Sequence, residues 1–352
     1  MEWRDLRKAI KRGLWRIPAI LSPGPRTGPG LPLDFAAIRS ILVIRPDRLG
    51  DVILSTPVYE SLKRSFPATE VAVLANRAAA GILSGNPFVD RVLPFDKKRP
   101  LGLWGDLRRG KFDLAIVLNR TFSATAAVLA LLSGARYRAG YHTPEGRWVY
   151  NIAIEGGTRP QHEIQNNLDI LRALGTPEIR DVPRIEFDAA EKKKIDALIA
   201  EFNRYPDRPL VLVKPGTRVA KWGWRPEKFR AVCYRLLDAK KAEVFVIRGP
   251  GEETLLNSLF PKDPQAPIIL PELPVKELAL LIQRSSLLFC NHTGIMHMAS
   301  ATQTPAAVIF KHGEIARWGP CHTRFAVLEE RGPDGLRPEE ALAAIDRLLN
   351  AS

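Results

Sequence analysis

The sequence predicts two α/β domains, each a parallel sheet covered by helices. Short apolar runs of about four to eight residues alternate with helix-like stretches along most of the chain, the pattern of buried strands joined by helical crossovers. That alternation pauses at the charged stretch EKKKIDALIAEFNRYPDRP and restarts at LVLVKPGT. A length of 352 residues is enough for two cores of ordinary size.

In chain order, SILVIRPDRLGD opens with a strand, Ile41 to Ile44, running into a loop, and VILSTPVYESLKRSFP follows as a helix. TEVAVLAN, VDRVLPFD and FDLAIVLN (Phe112 to Asn119) are further strands, and SATAAVLALLSG is helical. The first domain is placed at 34–190, ending with a helix from Asn167 to Leu174 and a charged loop. The second domain, 205–335, begins with a strand over 210–213, a loop from Gly216 to Lys221 and a helix near Pro226. Strand AEVFVIRG, a helix near Glu252, the stretch APIILP and helix KELALLIQRS come next. Strand LLFCN, a helix from about Gly294 and strand AAVIF complete it, and a terminal helix, Pro338 to Leu349, occupies 336–352. Ligands of such sheets bind beyond the C-terminal ends of the strands, and a cleft between two domains is the default active site.

Residues 1–33 read as a basic amphipathic helix and a linker. Trp3, Leu6, Ile10, Leu14 and Ile17 recur at three- and four-residue steps among Arg4, Arg7, Lys8, Lys11, Arg12 and Arg16. Three readings stand: a helix in an anionic membrane interface, a helix packed on the protein's own body, or a frayed basic arm. The segment is too charged to span a bilayer and lacks the apolar region of a signal peptide. Pro18, Pro23, Pro25, Pro29 and Pro32, with Gly24, Gly28 and Gly30, form the linker.

The surplus of 52 basic over 38 acidic residues, a net charge of +14, draws anionic partners without choosing among nucleic acid, phospholipid, lipopolysaccharide and nucleotide-sugar. Nucleic acid is disfavoured because the aromatics are not interleaved with a basic stripe. Cys233, Cys290 and Cys321 are widely separated, so neither a disulfide framework nor a four-cysteine metal cluster is indicated, and a reducing setting fits.

Three loops can carry chemistry. In RPDRLGDVILSTP, Arg45 to Pro57, Asp51 sits at a strand–loop–helix junction, where an acid either serves as a general base or caps the helix, as Asp47 also could. In KPGTRVAKWGWRP, Gly216, Thr217 and Lys221 offer amides, a hydroxyl and a cation ahead of a helix starting at Pro226, which suits phosphate oxygens. The Walker spacing is absent, and Trp222 and Trp224 read as packing or cleft-wall residues. CNHTGIMHMA allows three readings: a metal site of Cys290, His292 and His297, a single acid–base histidine, or a phosphate loop. In the last, Thr293 and Gly294 present donors at a helix N-terminus with His297 behind them. The cysteine–histidine spacing matches no common zinc signature.

In this order the three loops resemble the lipopolysaccharide heptosyltransferases and the wider glycosyltransferase family 9. Arg45, Asp47, Leu49, Gly50, Asp51, Thr56 and Pro57 fit its R-x-D-x-L-G-D…T-P pattern. Pro215, Gly216, Thr217, Lys221, Trp222 and Pro226 fit its P-G-[AST]…K-x-W loop, with Gly223 and Trp224 widening the last interval. Asn291, Thr293, Gly294, His297, Ala299, Ala301 and Pro305 fit N-D-[ST]-G-x-x-H-x-A-x-A-x-x-x-P, and HEIQNNLDILRALG resembles the stretch before the interdomain crossing. The resemblance covers about residues 38–335. His292 departs from it, standing where the family has an acid.

The resemblance implies a GT-B fold, two Rossmann-like domains with a cleft between them, the first holding acceptor and the second nucleotide-sugar. It implies inverting sugar transfer with no required metal and no cofactor. Asp51 would be the base and Lys221 would stabilise the departing phosphate. Gly216, Thr217, His292, Thr293, Gly294 and His297 would face the donor, ADP-heptose or similar, and Arg45 and Arg48 the acceptor, a lipid-linked or phosphorylated envelope glycan. Such an enzyme would be cytoplasmic and peripheral at the inner face of the membrane. His292 in place of a carboxylate leaves open a donor other than ADP-heptose, and the alternative reading is a noncatalytic nucleotide-sugar-binding or scaffold protein of the same fold.

Overall fold

The computed structural model describes residues 30–96, 100–217, 219–239, 241–260, 265–311, 313–330 and 335–351. The amphipathic stretch and most of the linker expected over 1–33 lie outside these residues. Two compact units divide the chain, Met1–Asp181 and Val182–Ser352.

In the first unit β1 (Ser40–Arg45), α1 (Leu49–Ile53), α2 (Thr56–Ser65), β2 (Glu70–Asn76), α3 (Arg77–Ala80) and β3 (Arg91–Phe95) come first. Then come α4 (Pro100–Arg109), β4 (Leu114–Val117), α5 (Ala124–Leu132), β5 (Tyr137–Tyr141), β6 (Ile152–Ile154) and α6 (Glu163–Leu174). The strands form one parallel sheet in the order β3-β2-β1-β4-β5-β6. Every residue of β1 is buried. Helices cover both sheet faces, so an unbroken apolar run is what a central strand here requires. Leu42 and Ile44, with Ala72 and Leu74, face Leu103 and Leu107 of α4 and Ala126, Ala127 and Ala130 of α5. α2 packs against α6.

The stretch expected as one helix, VILSTPVYESLKRSFP, is two. Pro57 has no N–H to offer the Ile53 carbonyl four residues back, so an unbroken helix would orphan that group. The Thr56 hydroxyl donates to it instead at 2.8 Å, and α2 starts there. α1 begins at Leu49, so Asp51 lies inside a helical turn rather than in a loop.

In the second unit α7 (Ala189–Phe202), β7 (Leu210–Lys214), α8 (Pro226–Asp238), β8 (Glu243–Val246), α9 (Glu253–Leu259) and β9 (Ile268–Ile269) lead. They are followed by α10 (Val275–Arg284), β10 (Leu287–Asn291), α11 (Gly294–Thr302), β11 (Ala306–Phe310), α12 (Ile315–Trp318), β12 (Phe325–Glu329) and α13 (Pro338–Asn350). The sheet is again parallel, ordered β12-β11-β10-β7-β8-β9. Read from β9, this is the order of the first unit, the doubly wound arrangement with a switch point between its two central strands. α13 belongs to this core through Ala341, Ala344, Ile345 and Leu348.

Strands β5, β6 and β12 were not among those expected. β5 is interrupted as an apolar run by Arg138 and Gly140. A Cβ on Gly140 would come within 3.0 Å of the Tyr150 ring, so a larger residue there would require that ring to shift. β6 has three residues, and β12 is an edge strand with Phe325 exposed. Each carries too short or too mixed a pattern to read by periodicity.

Trp224, Phe229 and Phe289 form an aromatic knot behind the β7 loop, with Phe229 centred 5.1 Å from Trp224 and 4.9 Å from Phe289. Truncating Phe229, which is wholly buried, opens a cavity that costs about 3–5 kcal/mol. Denaturant unfolding of Phe229→Ala is therefore expected to shift by that amount. A loss below about 1 kcal/mol would contradict the packing drawn here.

Candidate active site

Both switch points carry polar side chains, and the three loops singled out from the sequence fall on them. In the first unit the point lies between the C-terminal ends of β1 and β4. β1 ends in Arg45, a guanidinium only 2% exposed and surrounded by carboxylates. Its Nη2 donates to Asp51 Oδ1 at 2.9 Å and to Glu163 Oε1 at 2.8 Å. Nη1 donates to the Leu118 carbonyl at 3.0 Å, and Nε lies 3.6 Å from Asp47 Oδ2. Burial works against the Arg45 charge, but Asp51, Glu163 and Asp47 outweigh it and its pKa is raised.

Asp51 resolves the choice between capping and reactivity by doing the first while remaining reachable. Its Oδ2 accepts the Arg48 backbone N–H at 3.2 Å, closing the first turn of α1. Its side chain is 17% exposed. Burial pushes its carboxyl above the usual aspartate range, Arg45 pulls it down, and Asp47 and Glu163 push it up again.

The expectation that Arg45 meets an acceptor phosphate is corrected by this geometry. It is buried, and both its terminal nitrogens are committed to protein oxygens. Arg48 is exposed and remains available to solvent. Around the rim, Asn119 Nδ2 donates to Asp47 Oδ2 at 2.8 Å, and Arg120 Nη1 donates to Asn166 Oδ1 at 2.9 Å. Sequence reasoning passed over Glu163, Asn119 and Arg120. Their only signal was position, since Asn119 and Arg120 follow β4 directly and Glu163 opens α6.

In the second unit the switch point lies between β7 and β10. Asn291, at the end of β10 and 1% exposed, ties two loops together. Its Nδ2 donates to the Pro215 carbonyl at 2.7 Å, and its Oδ1 accepts from the Trp224 backbone N–H at 2.9 Å. Lys214 pairs with Glu252, whose Oε2 also accepts the Gly249 N–H at 2.9 Å. A Cβ on Gly216 would come within 2.0 Å of that carboxylate, so a larger residue there would have to move Glu252 from its place beside Lys214. The Thr217 hydroxyl donates to the Val219 carbonyl at 2.8 Å, shaping the turn that carries the exposed Lys221.

Thr293 is the N-cap of α11, extended in backbone, and its hydroxyl makes no bond to its own helix. Gly294 is the first helical residue, and both are partly exposed. The first turn of α11 therefore offers backbone donors and the positive end of a nine-residue helix. His297 is buried deeper in that helix at 4% exposure. The His292 ring stacks on Phe310, centroids 4.1 Å apart. Cys290 is buried in β10, its thiol pushed up to about 12 by burial, so it stays protonated at neutral pH. Among the described residues no group of three or more His, Cys, Asp or Glu is gathered to hold a metal ion. Among them also, no helix is long and apolar enough to cross a membrane.

With this geometry in view, the comparisons with known proteins converge. The family model described as glycosyltransferase family 9 (heptosyltransferase) matches residues 101–334. Lipopolysaccharide heptosyltransferase 3 of Escherichia coli is 25% identical over 291 residues, 77% of this chain and 83% of that one. Among solved structures, a glycosyl transferase family 9 protein from Veillonella parvula superposes with a TM-score of 0.81 at 20% identity, covering 92% of this chain and 99% of its own. E. coli heptosyltransferase WaaC with ADP-2-deoxy-2-fluoro heptose gives 0.67 at 17% identity, over 89% of this chain and 99% of that one. These structural likenesses show the fold, α/β and GT-B.

Removing one partner of a buried ion cluster strands the others, at a cost of about 3–5 kcal/mol. Arg45→Met should destabilise the chain by that amount at neutral pH. Without Arg45 the buried carboxylates bind protons more tightly folded than unfolded. The loss should therefore shrink in acid and grow as pH rises through their folded-state range. Denaturant melts across pH check it, and a deficit independent of pH would show that these carboxylates do not depend on Arg45.

Proposed function

Because the chain belongs to glycosyltransferase family 9, the heptosyltransferase family, we propose that it transfers a heptose from a nucleoside diphosphate donor of the ADP-heptose type to a lipopolysaccharide core or related envelope glycan. The observation that carries this reading is the placement of the three motif loops at the two switch points. There a partly exposed carboxylate, Asp51, stands in one unit, and a phosphate-suited loop and helix terminus stand in the other.

The reaction is read as inverting. The acceptor oxygen bonds to the anomeric carbon from the face opposite the diphosphate, the anomeric C–O bond to phosphate breaks, and the acceptor proton passes to Asp51. A sugar hydroxyl is far less acidic than a carboxylic acid, so the transfer proceeds only as the new bond forms. Burial strengthens Asp51 as a base, which suits this task. Charge growing on the diphosphate is met by Lys221, Thr217 and the amides of Thr293 and Gly294. No metal is required in this reading. Gly216 lets the loop backbone lie close to the phosphates, and Arg48 is the cation left to meet an acceptor phosphate.

A noncatalytic binding role rests on His292 alone. Asp51 and Lys221 are both present and accessible, which favours turnover. A donor panel followed by mass spectrometry, with membrane lipid acceptors and chelator present, separates the two. Asp51→Asn should lower transfer by about 10²–10⁴-fold. Equal rates in the variant would sink Asp51 as the base, and binding without transfer across the panel would favour the scaffold.

Residues 1–26 are read as holding the protein at the cytoplasmic face of an anionic membrane, where a lipid-linked acceptor resides. Deleting them should weaken cosedimentation with vesicles containing anionic lipid, and more so at low salt. Undiminished cosedimentation would end the anchoring role.

A further inference from the structure

Glu163 belongs to none of the three loops, yet it is as deeply buried as any acid in the first unit, at 1% exposure. It opens α6, far from Arg45 in sequence, and both its oxygens are engaged. Oε1 accepts from Arg45 Nη2 at 2.8 Å and Oε2 from Asn166 Nδ2 at 3.2 Å. The same Nη2 donates to Asp51 Oδ1 at 2.9 Å. One guanidinium nitrogen has two hydrogens in a fixed plane. Here one goes to Glu163 and the other to Asp51, while Nη1 is held by the Leu118 carbonyl. The place of Asp51 is therefore set by where Glu163 and Leu118 hold the guanidinium.

We propose that Glu163 is a positioning residue, which acts through Arg45 to fix where the Asp51 carboxylate stands and how strong a base it is. This rests on the reading of Asp51 as the base. A buried acid costs stability unless paired, and a single acid would suffice to neutralise Arg45. The cluster has three, Asp47, Asp51 and Glu163, around one cation. That surplus keeps Arg45 from drawing Asp51 into a fully satisfied, weakly basic pair. Burial raises the Asp51 pKa, and the negative neighbours Asp47 and Glu163 add to it.

The other titratable and charged groups around the cluster do not duplicate this role. Arg48 reaches Asp51 through its backbone N–H. Tyr59 on α2 is hydrogen-bonded to Ser55 at 2.6 Å, and its phenol is pushed up to about 12 by burial, so it is neutral. Tyr141 on β5 bonds the Asn166 carbonyl, and burial raises it out of the working range. Arg120 engages Asn166 Oδ1. On α6 itself, His162 caps the helix by accepting the Ile164 N–H, and Asp169 pairs with Arg172.

Glu163→Gln removes one negative neighbour and leaves Arg45 with only Asp51 and Asp47 to serve. Both changes weaken the hold of Asp51 on a proton. Its titration, followed by ¹³C NMR of the aspartate carboxyls and assigned by the signal missing in Asp51→Asn, should move to lower pH. The acid limb of kcat should move the same way. kcat should fall about 10- to 100-fold, the range of a displaced reacting group, with acceptor KM within about twofold. Glu163→Asp keeps the charge one methylene short, so it should lower kcat less and leave the acid limb nearer that of the wild type. It also carries the test if Glu163→Gln does not fold, because its kcat must still fall at unchanged KM. A Glu163 that only stabilised the fold would lower the melting temperature and leave both the NMR midpoint and the acid limb in place. That result overturns the proposal. If the wild type moves no sugar across the donor panel, the base reading falls. The NMR midpoint in Glu163→Gln then decides the coupling by itself.

Discussion

A buried guanidinium at the end of the central strand is the constraint around which the first unit is arranged. Arg45 continues β1, so its backbone is fixed by pairing with β2, and its side chain has nowhere to go except into the sheet's C-terminal edge. Such a charge is tolerated only where several acceptors converge. Those acceptors come from the turn after β1, the end of β4 and the start of α6. Parts of the chain separated by more than a hundred residues are thus tied to one guanidinium, and Asp51 is one of the ties.

In the second unit the central strand β7 also ends in a cation, Lys214, paired with Glu252, and beside it a neutral amide joins the loops. Asn291 occupies the end of β10 and uses both halves of its amide, one on Pro215 in the loop after β7 and one on Trp224, two residues before α8. This neutral amide fixes the loops without adding charge beside the N-terminus of α11, and Lys221 on the first of them is exposed. The first unit gathers three acids around one cation, and the second presents a helix N-terminus and an exposed lysine. The same strand order thus supports two different electrostatic sites.

Much of this was legible before any coordinates. Continuous apolar runs such as ILVI and LLFC announce strands buried on both faces, and the repeat of the pattern announces the second sheet. The three loops were legible because glycine, proline and polar residues cluster where strands end. What periodicity could not show is long-range pairing. Glu163 looks like an ordinary helix-start acid, and Glu252 looks like one more acid in a turn, until the fold brings them to Arg45 and Lys214. Arg45 was given to the acceptor by the resemblance alone, which shows neither its burial nor the third acid and the Leu118 carbonyl that hold it. Three strands were missed where the side-chain pattern was too short or too mixed to read.

His292 is the remaining departure from the family pattern, and its surroundings bear on whether it is a lesion. The imidazole lies against the Phe310 ring with an interplanar angle of 17°, and β10 and β11 keep their pairing up to that point, with the His292 N–H bonded to the Ile309 carbonyl at 2.9 Å. On another side is Gly313, whose φ of +97° favours glycine and whose Cβ, if present, would come within 3.0 Å of the ring. A flat aromatic neighbour and a residue without a side chain are what a ring needs at this place, and a carboxylate needs neither. The ring is thus seated between these two neighbours without a clash. Where the family pattern has a carboxylate with two acceptor oxygens, this position offers at most one ring nitrogen as an acceptor.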